Sequence, residues 1–241
     1  MSLFAIADLH LSTLLETNKS MEIFGRRWTG YTEKLKKSWE SLVTDDDTVI
    51  IPGDISWALT LDEAKSDLLF LESLPGKKIL GKGNHDFWWC TMKKHRDFFR
   101  EHGIETLSFL YNNAYETDDF IIAGTRGWYY DEDAQNTPND TDFIKLTNRE
   151  TGRLKISLDA AVKLKEASPE KEILVFTHFP PYYAGKESEQ IVNLLSEYGI
   201  KRVYYGHIHG NYTIDPTIDC RGIQMNIISA DYLNFIPKII R

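Results

Sequence analysis

Lys82-Gly83-Asn84-His85-Asp86 stands between Lys78-Ile79-Leu80, a short run of strand type, and a segment rich in Lys, Arg and Phe that is typical of a helix. A glycine, an amide, an imidazole and a carboxylate therefore lie where a strand ends. This is the edge at which open α/β sheets bind their ligands. The stretch predicts a fold of strand–helix units with a polar site at the ends of the strands.

Four other polar motifs also follow apolar runs. They are Asp8-Leu9-His10, Gly53-Asp54, Thr177-His178 and Gly206-His207-Ile208-His209. Five of the seven histidines of the chain belong to these strand-end motifs, including the one that contains His85. A lone histidine is more often structural than a ligand, but five of them beside aspartates and an asparagine are hard to explain in that way. The sequence therefore predicts one shared site.

The candidate ligands combine imidazoles with oxygen donors and include no thiolate. They are Asp8, His10, Asp54, Asn84, His178, His207 and His209. This set suits manganese, iron, zinc or a related transition ion, and its four imidazoles make magnesium less natural. Seven ligands are too many for one catalytic zinc, which keeps about three protein ligands and a water. Two metals that share one carboxylate fit the number of ligands.

In this order the motifs resemble the calcineurin-like metallophosphoesterase superfamily, and the resemblance extends from position 8 to position 209. It implies an α/β fold, a four-layer α/β/β/α sandwich of two stacked mixed sheets flanked by helices. It also implies a metal-dependent phosphoesterase, that is, a phosphoric ester hydrolase with two divalent ions. The implied reaction is in-line attack on phosphorus by a metal-bound hydroxide.

The resemblance also assigns roles to residues. The first metal would be held by Asp8, His10, Asp54 and His209, and the second by Asp54, Asn84, His178 and His207. Asp54 is then the bridging carboxylate. His85 would be the general acid or charge stabiliser at the phosphate, helped by its acidic neighbour Asp86. Because two divalent ions outweigh two aspartates, the site would be positive and would attract a phosphate.

One departure from the family pattern narrows the choice among the branches of the superfamily. Three residues after Asp54 stands Trp57, where the serine/threonine phosphatases would have Asp and the purple acid phosphatases a metal-binding Tyr. The pattern is closest to bacterial phosphodiesterase-like and uncharacterised phosphohydrolase members, so a phosphodiester or nucleotide ranks above a phosphoprotein. Arg26 and Arg126 are candidate substrate contacts. The aromatic residues near the motifs are interpreted as packing under the loops rather than stacking a nucleobase.

Two other functions stay open at this stage. The first is a metal-bound interaction scaffold without catalysis, against which His85 argues because a scaffold needs no acid there. The second is the catalytic subunit of a DNA nuclease. The net charge of −8 weakens it, because a general nucleic-acid surface should be basic.

Composition sets the remaining expectations. The 241 residues, 42% of them hydrophobic, predict a single domain over residues 1–241 with a sizeable core. Two cysteines without paired spacing, no basic leader and no apolar run of membrane length predict a cytoplasmic protein without a membrane partner. The expected partner is a small phosphoester substrate, and oligomeric state is left undetermined.

The segments between the motifs also carry predictions. Helices are expected at 31–43, 60–74, 89–102, 154–167 and 189–198, and a meander of short strands at 106–125. A long loop is expected at 127–151, another at 12–30 and terminal strands at 214–240. Loops as long as 127–151 are usually functional lids or disordered, and whether this one closes over the site is left undetermined.

Overall fold

The computed structural model describes residues 1–13, 21–135 and 142–241. The described strands are β1 (Leu3–Ala5), β2 (Thr48–Pro52), β3 (Lys77–Gly81), β4 (Leu107–Phe109), β5 (Tyr115–Glu116), β6 (Phe120–Thr125), β7 (Glu172–Thr177), β8 (Tyr182–Tyr183), β9 (Lys186–Glu187), β10 (Arg202–Tyr205), β11 (Thr217–Cys220), β12 (Ile223–Ile227) and β13 (Lys238–Ile240). The described helices are α1 (Tyr31–Leu42), α2 (Lys65–Ser73), α3 (Met92–His102), α4 (Phe143–Ala167) and α5 (Glu189–Glu197).

The strands form two large mixed sheets. The first has the order β13-β1-β2-β3-β4, in which β1 to β4 are parallel and β13 is antiparallel. The second has the order β11-β12-β10-β7-β6-β5, in which the four inner strands are parallel and the edge strands β11 and β5 are antiparallel. Parallel strands buried on both faces read as continuous apolar runs, as in Val49-Ile50-Ile51 of β2.

Three layers of apolar side chains hold the sheets and helices together. One joins the first sheet to α1, α2 and α3, and it includes Leu35 and Trp39 from the buried face of α1. The second lies between the two sheets, where Ile50 and Phe176 pack in the same cluster. The third joins the second sheet to α4 and α5. These layers confirm the predicted sandwich of two sheets between helices.

The carboxyl ends of the two sheets are tied by the backbone. Beyond β1, the N–H of Ala7 donates to the carbonyl of Ile228 at 2.8 Å, and Ala7 in turn accepts from the N–H of Ala230 at 2.9 Å. Ala7 and Ser229 therefore form a parallel bridge just past the ends of β1 and β12. This bridge brings the strand-end loops of both sheets to one edge of the molecule.

The predicted long loop at 127–151 is wrong from residue 143 onward. Helix α4 begins at Phe143, and Asp142 caps it by accepting a hydrogen bond from the N–H of Lys145 at 2.8 Å. The polar and aromatic composition of 143–153 concealed a helix whose buried positions, such as Glu150, are polar. Residues 136–141 lie outside the described part, as do residues 14–20 of the other predicted loop. The rest of that loop contains short 3-10 turns at Met21–Phe24 and Arg26–Trp28.

The predicted meander is also wrong in its first strand. Strand β4 pairs in parallel with β3, and helix α3 connects the two strands in the chain. Strands β5 and β6 form an antiparallel pair in the other sheet. Short apolar runs in sequence do not reveal which sheet each one joins. Helix α3 ends as predicted at Gly103, which has the left-handed φ of 65° that favours glycine at this position. Helix α2 begins later than predicted, at Lys65.

Across residues 1–13, 21–135 and 142–241, none of the helices has both the length and the apolar character that crossing a membrane requires.

Two neighbouring positions on α4 test the outer helical layer. Leu158 is fully buried against the second sheet and Ile156 is 51% exposed. Leu158→Ala should lower the free energy of unfolding by about 2–5 kcal/mol, because it removes buried methyl groups and leaves a cavity. Ile156→Ala should change it by less than about 1 kcal/mol. Urea denaturation measures both, and equal effects would contradict the packing described for α4.

Candidate metal centre

The seven predicted ligands meet at the edge where the parallel strands of both sheets end. Asp8 and His10 follow β1, Asp54 follows β2, and Asn84 follows β3. His178 follows β7 in the second sheet, and His207 and His209 follow β10. We call these seven residues the ligand cluster.

One half of the ligand cluster gathers around His10. The Nε2 atoms of His10 and His209 lie 3.1 Å apart. Asp54 Oδ2 lies 3.6 Å from His10 Nε2, and Asp8 Oδ1 lies 3.7 Å from His209 Nε2. Donor atoms of Asp8, His10 and His209 all lie within 4.8 Å of one another, as one metal ion requires.

The other half gathers around His178. Asn84 Oδ1 lies 2.7 Å from His178 Nε2 and 3.0 Å from His207 Nδ1. Asp54 Oδ2 lies 3.5 Å from His178 Nε2, so the same oxygen faces both halves. Asp8, Asp54 and His178 form a second group of donors within 4.8 Å. The structure thus brings together every residue predicted as a ligand: Asp8 is a member of both groups of donors, and Asp54 Oδ2 faces both His10 and His178.

Four members of the ligand cluster adopt left-handed backbone conformations. The φ angles are 61° at Asp8, 44° at His10, 51° at Asp54 and 70° at His207. Such angles are uncommon outside glycine and cost about 1–3 kcal/mol each. Strain repeated at four members of one cluster is typical of a functional site, because the surrounding fold must hold each side chain in place.

Two glycines allow the loops of the ligand cluster to approach one another. A Cβ atom on Gly83 would lie 2.0 Å from Asp54 Oδ1, and one on Gly206 would lie 2.4 Å from Asp8 Oδ2. Neither position accepts a side chain without displacing a carboxylate. The glycines in the motifs that contain Asn84 and His207 are therefore explained by close packing.

The electrostatics of the cluster suit cations. Burial raises the pKa of Asp8 to about 6, although His209 opposes the shift, and burial with nearby Asp86 raises that of Asp54 well above its usual value. Burial and neighbouring imidazoles lower the pKa of His10 and His178 well below the usual value. Neutral imidazoles beside buried carboxylates form a donor set that fits divalent metal ions.

Comparison with known proteins agrees with this geometry. The sequence model described as "Calcineurin-like phosphoesterase" matches residues 1–211. The chain belongs to the calcineurin-like phosphoesterase family. As a member of this family it is a metal-dependent phosphoesterase, and the donor groups described above are candidates for its divalent ions. No curated protein matches the chain.

Solved structures share the calcineurin-like fold at low sequence identity. The protein of unknown function AQ665 from Aquifex aeolicus is 15% identical, with a TM-score of 0.52 over 99% of this chain and 95% of that one. TT1561 of Thermus thermophilus is 11% identical, with a TM-score of 0.54 over 99% of this chain and 97% of that one. At these identities the likeness concerns the fold alone.

Asp86 ties two loops of this calcineurin-like centre together. Its fully buried carboxylate accepts hydrogen bonds from the backbone N–H groups of Asp54, Ile55, Ser56 and Gly83 and from the indole N–H of Trp88, at 2.7–3.3 Å. Because these donors surround both of its oxygens, Asp86 holds the loop of Asp54 against the loop of Asn84. The geometry supports a positioning role, and its predicted help to His85 stays a prediction.

His85 lies at the side of the ligand cluster. Its backbone N–H donates to Asp54 Oδ1 at 2.8 Å, which fixes the start of the side chain beside the Asp54 carboxylate. Its half-buried ring lies 4.4 Å from the ring of Trp57 and 5.6 Å from that of His10. Trp57 in turn stacks on His10 at 4.9 Å. Trp57 thus packs against two histidine rings of the centre.

The two predicted substrate arginines differ in their placement. The side chain of Arg126 is 12% exposed, lies over the ring of Trp128 and pairs with Glu150, and its carbonyl accepts the N–H of His178 at 3.1 Å. Arg26 is exposed on a 3-10 turn, and no contact within the described residues joins it to the ligand cluster. The structure therefore brings Arg126 to the centre but not Arg26.

Asp231 belongs to the site and was missed in the sequence. Its Oδ1 lies 2.9 Å from His209 Nδ1, while its Oδ2 accepts hydrogen bonds from the N–H of Gly210 and the hydroxyl of Tyr212, both at 3.0 Å. Burial raises the pKa of Asp231, but the contact with His209 outweighs this and holds it below its usual value. Asp231 comes four residues after β12, in which Gln224 and Asn226 interrupt the apolar residues, so the strand-end signal is weaker here than in the other motifs.

Arg27, next to the predicted Arg26, supports Asp231. Its guanidinium donates to the carbonyl of Asp231 at 2.8 Å and lies over the ring of Tyr212 at 3.6 Å. The adjacent Trp28 packs edge-on against His209, with ring centroids 5.7 Å apart. The turn that contains Arg26 therefore contributes to the site through its other two residues.

Asp231→Asn should weaken metal binding about 10–100-fold, because a carboxylate on the second imidazole nitrogen orients a histidine ligand and raises its basicity. Titration of metal-free protein against a competing chelator measures this affinity. Asp215→Asn, at an exposed position before β11, is the matched control and should leave it unchanged. Equal affinities for Asp231→Asn and the unaltered protein would refute the orienting role.

Gly83→Ala should reduce the number of metal ions bound per chain, since the new Cβ collides with the Asp54 carboxylate. Elemental analysis after dialysis gives that number. Gly152→Ala introduces the same methyl group on α4 with no atom within 4 Å, so it should keep the full metal content. Full metal content in Gly83→Ala would show that the close approach is dispensable.

Proposed function

We propose that the protein hydrolyses a phosphodiester or nucleotide-type substrate at a dinuclear metal centre, with His85 as the general acid. The observation that carries the proposal is the position of Asp54 Oδ2, 3.6 Å from His10 Nε2 and 3.5 Å from His178 Nε2. One carboxylate oxygen that faces two donor groups is the arrangement expected for a bridging ligand.

The chemistry of the donor set favours manganese, iron or zinc as the two ions. Bound there, such a pair would lower the pKa of a water to about 7 and neutralise charge on the phosphate. The chain itself contributes fixed donors. Asp231 orients His209, and Asp86 keeps Asp54 and Asn84 in register, so little reorganisation is needed when a substrate binds.

His85 is suited to deliver a proton to the leaving oxygen. Its backbone is tied to Asp54, and its half-buried ring lies beside His10 and Trp57 without belonging to either donor group. A histidine in this position supplies a general acid near neutral pH, and such catalysis contributes about 10²–10⁴-fold in rate. The presence of His85 also supports an enzyme over a non-catalytic scaffold.

The surroundings favour a small anionic substrate. Arg126 lies near enough to the centre to influence both Asp54 and His178 electrostatically, and it is the better candidate of the two arginines for contact with the substrate phosphate. Arg26 would reach a substrate only if the substrate extends past Trp28. The net charge of −8 supports a small phosphoester over a nucleic acid as the partner, and a nuclease subunit remains the weaker alternative.

His85→Ala should slow hydrolysis of an alkyl phosphodiester by about 10²–10⁴-fold, because the poor leaving group then departs without a proton. It should slow hydrolysis of bis(p-nitrophenyl) phosphate much less, since p-nitrophenolate leaves readily unprotonated. The measurement is the initial rate of protein stripped of metal and reloaded with manganese, together with the number of metals bound.

His102→Ala, a half-buried histidine at the end of α3, is the control and should retain both activities. Equal losses of His85→Ala on both substrates would assign His85 to charge stabilisation instead of proton transfer. Fewer than two metals per chain in the unaltered protein would overturn the dinuclear proposal.

A further inference from the structure

Beside the ligand cluster lies a small pocket lined with cations. It is lined by Lys82, Tyr111, Asn112, Thr125, Arg126 and Arg153, together with Glu150 and the backbone that follows β4 and β6. We call it the cationic pocket. Strands β1, β2 and β3 of the first sheet and β12, β10 and β7 of the second lead to the ligand cluster and Asp231, whereas β4 and β6 are the next strands along each sheet. The cationic pocket is thus displaced from the metal centre by about one strand spacing, ~4.8 Å.

The cationic pocket and its surroundings contain more positive side chains than are needed to neutralise its one carboxylate, Glu150. Glu150 is 1% exposed and accepts hydrogen bonds from Arg153 at 2.7 Å and from the hydroxyl of Thr125 at 3.0 Å. Arg149 adds a further contact at 3.2 Å from the solvent side. These partners already neutralise the carboxylate of Glu150, and yet two more cations face the pocket.

The two remaining cations are poorly satisfied. Arg126 reaches Glu150 only at 3.4 Å, and its buried Nε finds no hydrogen-bond partner among the described residues. Lys82 is half-buried and lines the same pocket, and no described residue accepts a hydrogen bond from its ammonium. Holding two desolvated cations side by side is unfavourable unless an anion binds between them.

Both cations are fixed to loops of the metal centre. Lys82 is followed by Gly83 and the ligand Asn84, and the carbonyl of Arg126 accepts the backbone N–H of the ligand His178. An anion bound by Lys82 and Arg126 would therefore lie next to the loops that carry Asn84 and His178.

We infer that the cationic pocket binds a second phosphate of the substrate, so that the natural substrate is an organic diphosphate such as a nucleoside diphosphate or a diphosphate diester. This rests on the proposed phosphoesterase function and specifies its substrate class. Lys82 and Arg126 bind the phosphate that is not cleaved, and Arg153 completes the positive wall. Arginine forks and lysine point charges are the usual partners of phosphate.

The test compares two ligands that differ by one phosphate-like group: adenosine 5′-(α,β-methylene)diphosphate and AMP. Calorimetry on manganese-loaded protein gives the ratio of their Kd values, and metal content is measured after each titration. The unaltered protein should prefer the diphosphonate, and Lys82→Met should reduce that preference about 10–100-fold, as expected for loss of a charged hydrogen bond. Because the ammonium of Lys82 donates to no described residue, the variant should keep its thermal stability.

Arg149→Gln is the matched control, because it removes a charge that contacts Glu150 from the solvent side without lining the pocket. It should keep the preference of the unaltered protein. An equal preference in the unaltered protein and Lys82→Met, or no preference in either, would overturn the second-phosphate site. Hydrolysis of bis(p-nitrophenyl) phosphate tests the proposed function separately. The ratio of Kd values tests the second-phosphate site even if no ester is cleaved. Cleavage without a binding preference would support the phosphoesterase activity and refute the diphosphate substrate.

Discussion

The buried carboxylate of Asp86 is the contact on which the metal centre depends. Four backbone N–H groups from the loops after β2 and β3 point at its two oxygens, and the indole of Trp88 completes the set. Without this acceptor, these donors would be buried without partners at the place where Asp54 and Asn84 must meet. One side chain thus satisfies the loop backbone and fixes the spacing of the ligands at the same time.

Around this contact, further groups fix the ligands from several directions. Glycines at positions 83 and 206 allow carboxylates to lie against a neighbouring backbone, and left-handed residues aim the ligands inward. Asp231 and Arg27 then hold His209 from the far side. The supporting groups come from both sheets, so the geometry of the centre is a property of the whole sandwich and not of any one loop.

The sequence predicted the parts of the structure that depend on local chemistry. Polar residues after apolar runs identified all seven members of the ligand cluster, because parallel strands end at a common edge. Prediction from the sequence failed where a structural feature depends on residues that are distant in the chain. Asp231 follows a strand whose apolar residues are interrupted by polar ones, and nothing in the neighbouring sequence shows that His209 lies against it. The prediction began helix α4 too late because the buried face of its first turns is built around a polar residue, Glu150. The partners of Glu150, Thr125 and Arg126, are the last residue of β6 and the residue after it.

The bridge between Ala7 and Ser229 has a consequence for the order in which the protein is made. Asp8 accepts hydrogen bonds from the N–H of His207, 199 residues later in the chain, and Asp231 is later still. Strands β1 to β4 can pair during synthesis, but β13 joins their sheet and the carboxylates gain their last neighbours only when residues 207–240 arrive. The donors of the candidate metal centre therefore come together only after residues 207–231 have been made.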